Sequence, residues 1–436
     1  MTHYDLVVIG AGWAGFNAAI RAKDLGLKVA LIEKGQTGGT CLNRGCIPTK
    51  TLIQSAKIYS LTKKSRIFGI ETTSPQVNFA EIQSRKDKII QQLRQGMEFL
   101  LKGVDVIHAE ARMISCDTLQ VGEQQLNTKF ILIATGSKPI ELKSLKFDGN
   151  KIISSDELLN LKEIPKSLLI IGGGVIGCEF ASLFSAFGTQ VSIVEKMPQL
   201  LPGEDKEVAR KIETIFKKKG IKINTNTDAL SVDLANYDLV LLCIGRVAET
   251  SSLDLDMLGV KSERGKILVD EYLKTSIPNI YAAGDCTAKF MLAHFAAYQG
   301  RVAAENIAHP DNPKRADNTN IPNCIFTDPE IASVGIREED AKTKGLDIKI
   351  DKFDFLGSGM ARIIDETEGF IKIISDNKTG QVLGASIVGP RATELIGILT
   401  LAIQSNLQAR QVRDTIFAHP TLSEGISETL RADYAI

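Results

Sequence analysis

The chain opens on an apolar run, Leu6-Val7-Val8-Ile9, that stops at Gly10 and gives way to a helical stretch over 16–25. A short continuous apolar run ended by glycine reads as a strand buried on both faces, and the change of period after it reads as strand, turn, helix. A second apolar strand over 28–32 ends at Glu33. The same succession returns much later: a strand over 168–171, a glycine-rich turn at 172–177, a helix over 178–187, and a strand over 190–194 that ends at Glu195. Each landmark of the second copy lies 162 positions after its counterpart, Gly10 to Gly172, Gly12 to Gly174, Gly15 to Gly177 and Glu33 to Glu195. The chain therefore carries an internal repeat of one α/β unit.

Between the copies, Phe130 to Ile133 predicts a strand entering a tight turn at Ala134-Thr135-Gly136-Ser137. Two later apolar strands, over 239–244 and 280–283, also stop at glycine, where backbone can touch a ligand, and a helix over 291–304 follows the second. From Ile321 the texture changes to strands over 371–374 and 382–388 flanked by helices over 341–345 and 393–405, without any glycine-rich turn. The Pro-, Asn- and Asp-rich stretch 309–323 marks the boundary. The expected fold class is α/β, with two nested Rossmann-like dinucleotide-binding domains and a C-terminal α+β domain. Residues 1–146 begin the first dinucleotide domain, 147–265 form the second, 266–320 return to the first, and 321–436 form the α+β domain.

Composition narrows the function. The 436 residues carry 52 Lys plus Arg against 52 Asp plus Glu, so no charge excess recruits nucleic acid or an anionic membrane. The apolar runs fall far short of the ~20 residues that span a bilayer. The N-terminus lacks a basic n-region, and seven cysteines are an odd number spread along the chain. Both features point to a reducing, cytoplasmic setting.

The two Gly-x-Gly-x-x-Gly turns carry a physical requirement. The first glycine (Gly10, Gly172) makes the tight turn, the second (Gly12, Gly174) lets backbone approach a pyrophosphate, and the third (Gly15, Gly177) lets helix pack on strand. Glu33 and Glu195 stand where a carboxylate accepts from ribose hydroxyls. At Glu195 such a group repels a 2′-phosphate, which favours NAD over NADP even with Lys196 beside it. Two dinucleotides in one chain are expected.

Cys41 and Cys46 lie five positions apart, among glycines and just before Pro48. That spacing can close a small ring at the start of a helix, where the dipole favours thiolates. No further ligands follow at zinc spacing, so a metal site is not expected. A purely structural disulfide remains open on the residues alone. At the far end, His419 and Glu424 offer an imidazole with a carboxylate five positions on, which suits a base that activates a thiol.

Taken in order, GAGWAG, GGTCLNRGCIPTK, ATGS, GGGVIGCE, IGR, AAGD, MLAH and HPTLSE closely resemble the flavoprotein disulfide reductase family over nearly the whole chain. The resemblance implies that Gly10, Gly12, Gly15 and Glu33 hold the adenosine half of FAD, with Lys50, Thr135, Gly136, Asp285 and Ala293 near its remainder. It implies that Gly172, Gly174, Gly177, Glu195 and Gly245 hold NAD. Cys46 would face the flavin, Cys41 would exchange with a dithiol substrate, and Lys50 and Glu179 would form an ion pair beside the flavin. His419, held by Glu424, would be the base and would come from the other subunit. The α+β domain then becomes a dimerisation domain, and the protein a homodimer.

The branch most resembled oxidises protein-bound dihydrolipoamide with reduction of NAD. Its partners would be lipoyl domains and the acyltransferase core of a 2-oxo acid dehydrogenase or glycine-cleavage system. Three departures stand out: Arg44 where a small apolar residue is frequent, Phe417 where a second His is frequent, and a short segment 220–238 that lacks part of a strand meander. The first two point to the alternative, an NAD(P)H-dependent reductase of another small or protein disulfide.

Overall fold

A computed structural model describes residues 3–287 and 290–431; Met1 and Thr2, where the N-terminal reading begins, lie outside them. The first repeat copy builds a seven-stranded sheet. Its strands β1 (His3–Ile9), β2 (Val29–Ile32), β3 (Asp105–Ile107), β4 (Ala111–Met113), β5 (Thr118–Val121) and β6 (Gln124–Ile133) lie in the order β3-β2-β1-β6-β5-β4. β1 runs parallel to both neighbours, with Val8 opposite Leu31 and Leu132. Leu6, Val7 and Val8 are all fully buried, which is why the run shows no polar alternation. The seventh strand, Ile280–Ala282, pairs with β6, so the chain returns to this sheet after leaving it for the second unit.

Helix α1 (Trp13–Asp24) starts three residues before the expected Phe16, because Gly12 already serves as its cap. The reason is steric. A Cβ on Gly15 would stand 1.8 Å from the Gly10 carbonyl oxygen, so only glycine lets the helix begin that close to its own turn. The second copy behaves alike: its helix spans Val175–Ala186 rather than starting at Cys178, and a Cβ on Gly177 would stand 2.0 Å from Gly172 O. The helix expected over 291–304 spans Ala293–Ala308 and lies against α1, where a Cβ on Gly300 would meet Ala14 O at 2.1 Å.

The second unit is a five-stranded parallel sheet in the order Lys222–Asn224, Gln190–Val194, Ser167–Ile171, Leu239–Leu242, Ile152–Ile153. Between Asn224 and Leu239 stand two 3₁₀ turns in place of strands, Ala229–Ser231 and Leu234–Asn236. Their caps, Asp228 and Asp233, accept from Leu230 N and Ala235 N. The short segment noted in the sequence is thus built from side-chain-capped turns.

The third unit is an antiparallel sheet ordered Asn323–Ile325, Glu330–Gly335, Val382–Gly389, Phe370–Asp376, Ile348–Asp354, covered by the helix Ala392–Gln404. The short helix expected over 341–345 lies at Glu338–Thr343. Lys372, 1% exposed, ties this sheet to the second unit: its Nζ lies 2.9 Å from Asp205 Oδ2 and 2.6 Å from Glu338 Oε2. No described helix is long and apolar enough to cross a membrane.

Candidate active site

The dithiol segment folds as two helices around one glycine. Helix α2 (Gly39–Arg44) carries Cys41, helix α3 (Cys46–Lys63) begins with Cys46, and Gly45 joins them. A Cβ on Gly45 would press to 2.9 Å on Thr40 O, so the bend needs glycine. Asn43 pins the segment, its Nδ2 donating to Thr37 O at 3.1 Å and Gly39 O at 3.0 Å, and its Oδ1 accepting from Arg94 Nη2 at 2.7 Å.

Both cysteines are free thiols. Hydrogen bonding from Cys41, with help from the Lys50 charge, brings the Cys46 thiol down to about 7 against the opposing effect of burial. The same bond, together with burial, pushes Cys41 up. The pair therefore favours a thiolate on Cys46 over one on Cys41, at the start of an 18-residue helix whose dipole acts in the same sense.

One turn into α3, Lys50 Nζ meets both carboxylate oxygens of Glu179, at 2.9 and 2.8 Å. Glu179, 3% exposed, accepts a further bond from Phe326 N at 2.9 Å, and Lys50 stands 4.7 Å over the Phe326 ring. All three units of the fold meet at this pair.

The predicted binding residues gather in three clefts. The first, about 560 Å³, is lined by Gly12, Cys41, Cys46, Lys50, Gly136, Glu179, Asp285 and Ala293. Gly10, Glu33 and Thr135 border a small cleft at the strand ends. Gly172, Gly174, Glu195 and Gly245 line another of about 600 Å³. Val175 and Ile176 line both large clefts, which therefore share a wall. Gly15 and Gly177 lie inside their helices as the packing requirement dictates.

The repeat extends to hydrogen bonds. Ala11 N and Gly35 N donate to Glu33, each at 2.7 Å, while Gly173 N and Met197 N donate to Glu195 at 2.6 and 2.7 Å. Both turns hold a fixed carboxylate beside the glycines, as a ribose-binding site requires. A Cβ on Gly136 or Gly174 would meet nothing within 4 Å, so those backbones face open space. Thr135 Oγ1 is buried without a hydrogen-bond partner. The open glycines, fixed carboxylates and waiting donor fit a dinucleotide in each half.

His419 and Glu424 stand together but away from the dithiol. With carboxylate oxygen as acceptor, His419 Nδ1–H donates to Glu424 Oε1 at 2.8 Å, which leaves Nε2 free to accept a proton. Glu424 lies below the usual carboxylate range because Thr421 N and then His419 donate to it. The imidazole is 81% exposed and borders none of the three clefts, so within one chain it is not brought to Cys41.

Several polar residues in or just behind the lining of the first cleft carry no signal of their own in the sequence. Ser137 donates to Asp285 Oδ2 at 2.6 Å and accepts from Arg246 Nε at 2.8 Å. Burial raises the Asp285 carboxyl, while Ser137 and Arg246 oppose it. Gln299, 2% exposed, accepts from Gly284 N at 2.9 Å. Ser137 and Arg246 sit within the ATGS and IGR strings, so their motifs were visible although their pairing was not. Arg44 reaches across to Asp156, 3.4 Å away, at the rim of the main cleft, and Phe417 packs against the core of the third unit.

Residues 4–300 match the pyridine nucleotide-disulphide oxidoreductase family, and residues 321–430 match the dimerisation domain of that family. The chain belongs to the pyridine nucleotide-disulphide oxidoreductases. Among its relatives, a dihydrolipoyl dehydrogenase of Geobacillus stearothermophilus is 41% identical, with 96% of this chain and 94% of the relative covered. Another of Bacillus subtilis (strain 168) is 38% identical over 99% of this chain and 98% of the relative. A solved structure, the HOCl-induced flavoprotein disulfide reductase RclA from Escherichia coli, superposes with a TM-score of 0.88 at 32% identity, covering 98% of this chain and 99% of that one.

Proposed function

We propose that this protein is a dihydrolipoyl dehydrogenase that oxidises protein-bound dihydrolipoamide to lipoamide and reduces NAD⁺, using the Cys41–Cys46 pair and FAD. The observation that carries the reading is the placement of the dithiol: Cys41 and Cys46 line the same cleft as Gly12, Gly136 and Asp285, and that cleft shares a wall with the second dinucleotide cleft. The relatives' names supply the substrate.

Gly10, Gly12, Gly15 and Glu33 would hold the adenosine half of FAD, with Lys50, Thr135, Gly136, Asp285 and Ala293 around the rest. Gly172, Gly174, Gly177, Glu195 and Gly245 would hold NAD. Bound FAD supplies a two-electron carrier between the dithiol and NAD⁺. The chain's own residues do the sulfur and proton chemistry. Cys41 exchanges with the substrate, and Cys46 leaves as a thiolate, favoured by the Cys41 hydrogen bond and the Lys50 charge. Glu179 fixes Lys50. His419 takes a substrate proton at Nε2, with Glu424 fixing its tautomer. The exposed imidazole is supplied to the dithiol of a second copy, which makes the working unit a homodimer built through residues 321–430.

Lipoyl domains and the acyltransferase core of a 2-oxo acid dehydrogenase or glycine-cleavage system are the partners in this reading. The cytoplasm is the compartment, which suits the chain's scattered thiols. Replacement of Cys41 or Cys46 by Ser tests the proposal: dihydrolipoamide turnover should vanish with FAD still bound. Undiminished turnover in either variant would falsify the dithiol route.

A further inference from the structure

Trp13 is the single tryptophan of the chain, and the glycine turn does not call for it. It follows Gly12 directly, and a Cβ on Gly39 would stand 2.7 Å from Gly12 Cα, so α1 and α2 begin against one another. The residues just past that contact are Trp13 on one helix and Thr40 and Cys41 on the other, and all three line the main cleft. The Trp13 ring packs on the core that holds Leu42, and Asn17 Nδ2 donates to Trp13 O at 2.8 Å, which fixes the helix start.

Its indole Nε1–H is buried, and no acceptor meets it in full hydrogen-bond geometry. An indole nitrogen can only donate. Cys41 shares the wall of the main cleft, and an indole donor there favours its thiolate against burial and the neighbouring Cys46. A sulfur draws such a donor most strongly when it carries negative charge.

We propose that Trp13 is a positioning residue for Cys41, its indole N–H donating to Sγ when that sulfur departs as a thiolate during exchange with the substrate. The inference rests on the dithiol reading above. One substrate thiolate attacks Cys41 Sγ, the Cys41–Cys46 bond breaks, and its electron pair leaves on Cys46. The second substrate thiol then gives up its proton and attacks the substrate sulfur bound to Cys41. That bond breaks, and its electron pair stays on Cys41 beside the indole N–H until a proton arrives. In sum, two substrate S–H bonds become one S–S bond, the protein disulfide becomes a Cys41 thiol and a Cys46 thiolate, and one proton goes to solvent.

The test uses FAD-loaded protein reduced with NADH and compares the parent with Trp13→Phe, which keeps a ring and loses the donor. Iodoacetamide labelling of Cys41, read by peptide mass, should slow roughly tenfold at neutral pH, as loss of a charge-assisted hydrogen bond implies. Dihydrolipoamide-driven flavin reduction, normalised to bound FAD, should slow by a similar factor. In the unmutated protein, alkylation of Cys41 should shift the emission of Trp13, a readout that does not depend on the variant folding. Equal labelling rates, or an emission indifferent to Cys41 alkylation, overturn the proposal. A parent protein inert toward dihydrolipoamide would sink the functional reading instead, while the labelling comparison would still decide whether Trp13 acts on Cys41.

Discussion

Lys50 and Glu179 act on Cys46 with opposite signs, and that opposition can be measured. The Lys50 charge lowers the Cys46 thiol and the Glu179 charge raises it, around a value of about 7 set first by the Cys41 hydrogen bond. Lys50→Met removes the cation at similar volume, and Glu179→Gln removes the anion. Iodoacetamide labelling of Cys46 in reduced protein, followed against pH, should move up by roughly one unit in the first variant and down in the second. Stability gives a second axis. Lys50→Met leaves Glu179, 3% exposed, with the Phe326 N–H still donating to it. Breaking a buried pair costs ~3–5 kcal/mol, and because the Lys50 side chain keeps 29% exposure the lower end applies. The double variant should recover much of that loss, since no buried charge is left alone. Shifts of the same sign in the two single variants, or a Lys50→Met protein as stable as the parent, would refute the reasoning.

Gly15→Ala should prevent folding or FAD uptake, since its Cβ would overlap Gly10 O, and FAD content after purification reads this. Gly174→Ala meets no protein atom within 4 Å, so its melting temperature should match the parent while KM for NAD⁺ rises. His419→Gln should lower turnover by ~10²–10⁴, the usual range for a general base, and leave NADH-driven flavin reduction in place. Arg44→Val removes an ion pair whose arginine side chain is 58% exposed, so stability should change by less than ~1 kcal/mol. A changed preference among disulfide substrates in that variant would mark Arg44 as a selector at the cleft rim.

Glycine spacing made both dinucleotide units legible in the sequence, because steric demands at Gly10 and Gly15 recur at Gly172 and Gly177 and admit few other residues. Helix starts were displaced by three residues, since a glycine inside a first helical turn looks like part of the preceding turn. No local pattern links Lys50 to Glu179, 129 positions apart, so only the family resemblance pairs them before the fold is seen. Ser137, Arg246 and Gln299 were harder still, because their partners come from strands and helices that meet only after folding. The pairing of His419 with Glu424 was readable from its five-residue spacing, whereas its distance from Cys41 within one chain was not.

The most direct measurement is steady-state oxidation of dihydrolipoamide by the FAD-loaded protein with NAD⁺ and with NADP⁺ as alternative acceptors. The account predicts rapid reduction of NAD⁺, much slower reduction of NADP⁺ because the Glu195 carboxylate that lines the second cleft would repel a 2′-phosphate, and no turnover once Cys46 is replaced by Ser. Flavin reduction by NADH without any oxidation of dihydrolipoamide would contradict it and assign the dithiol to another disulfide.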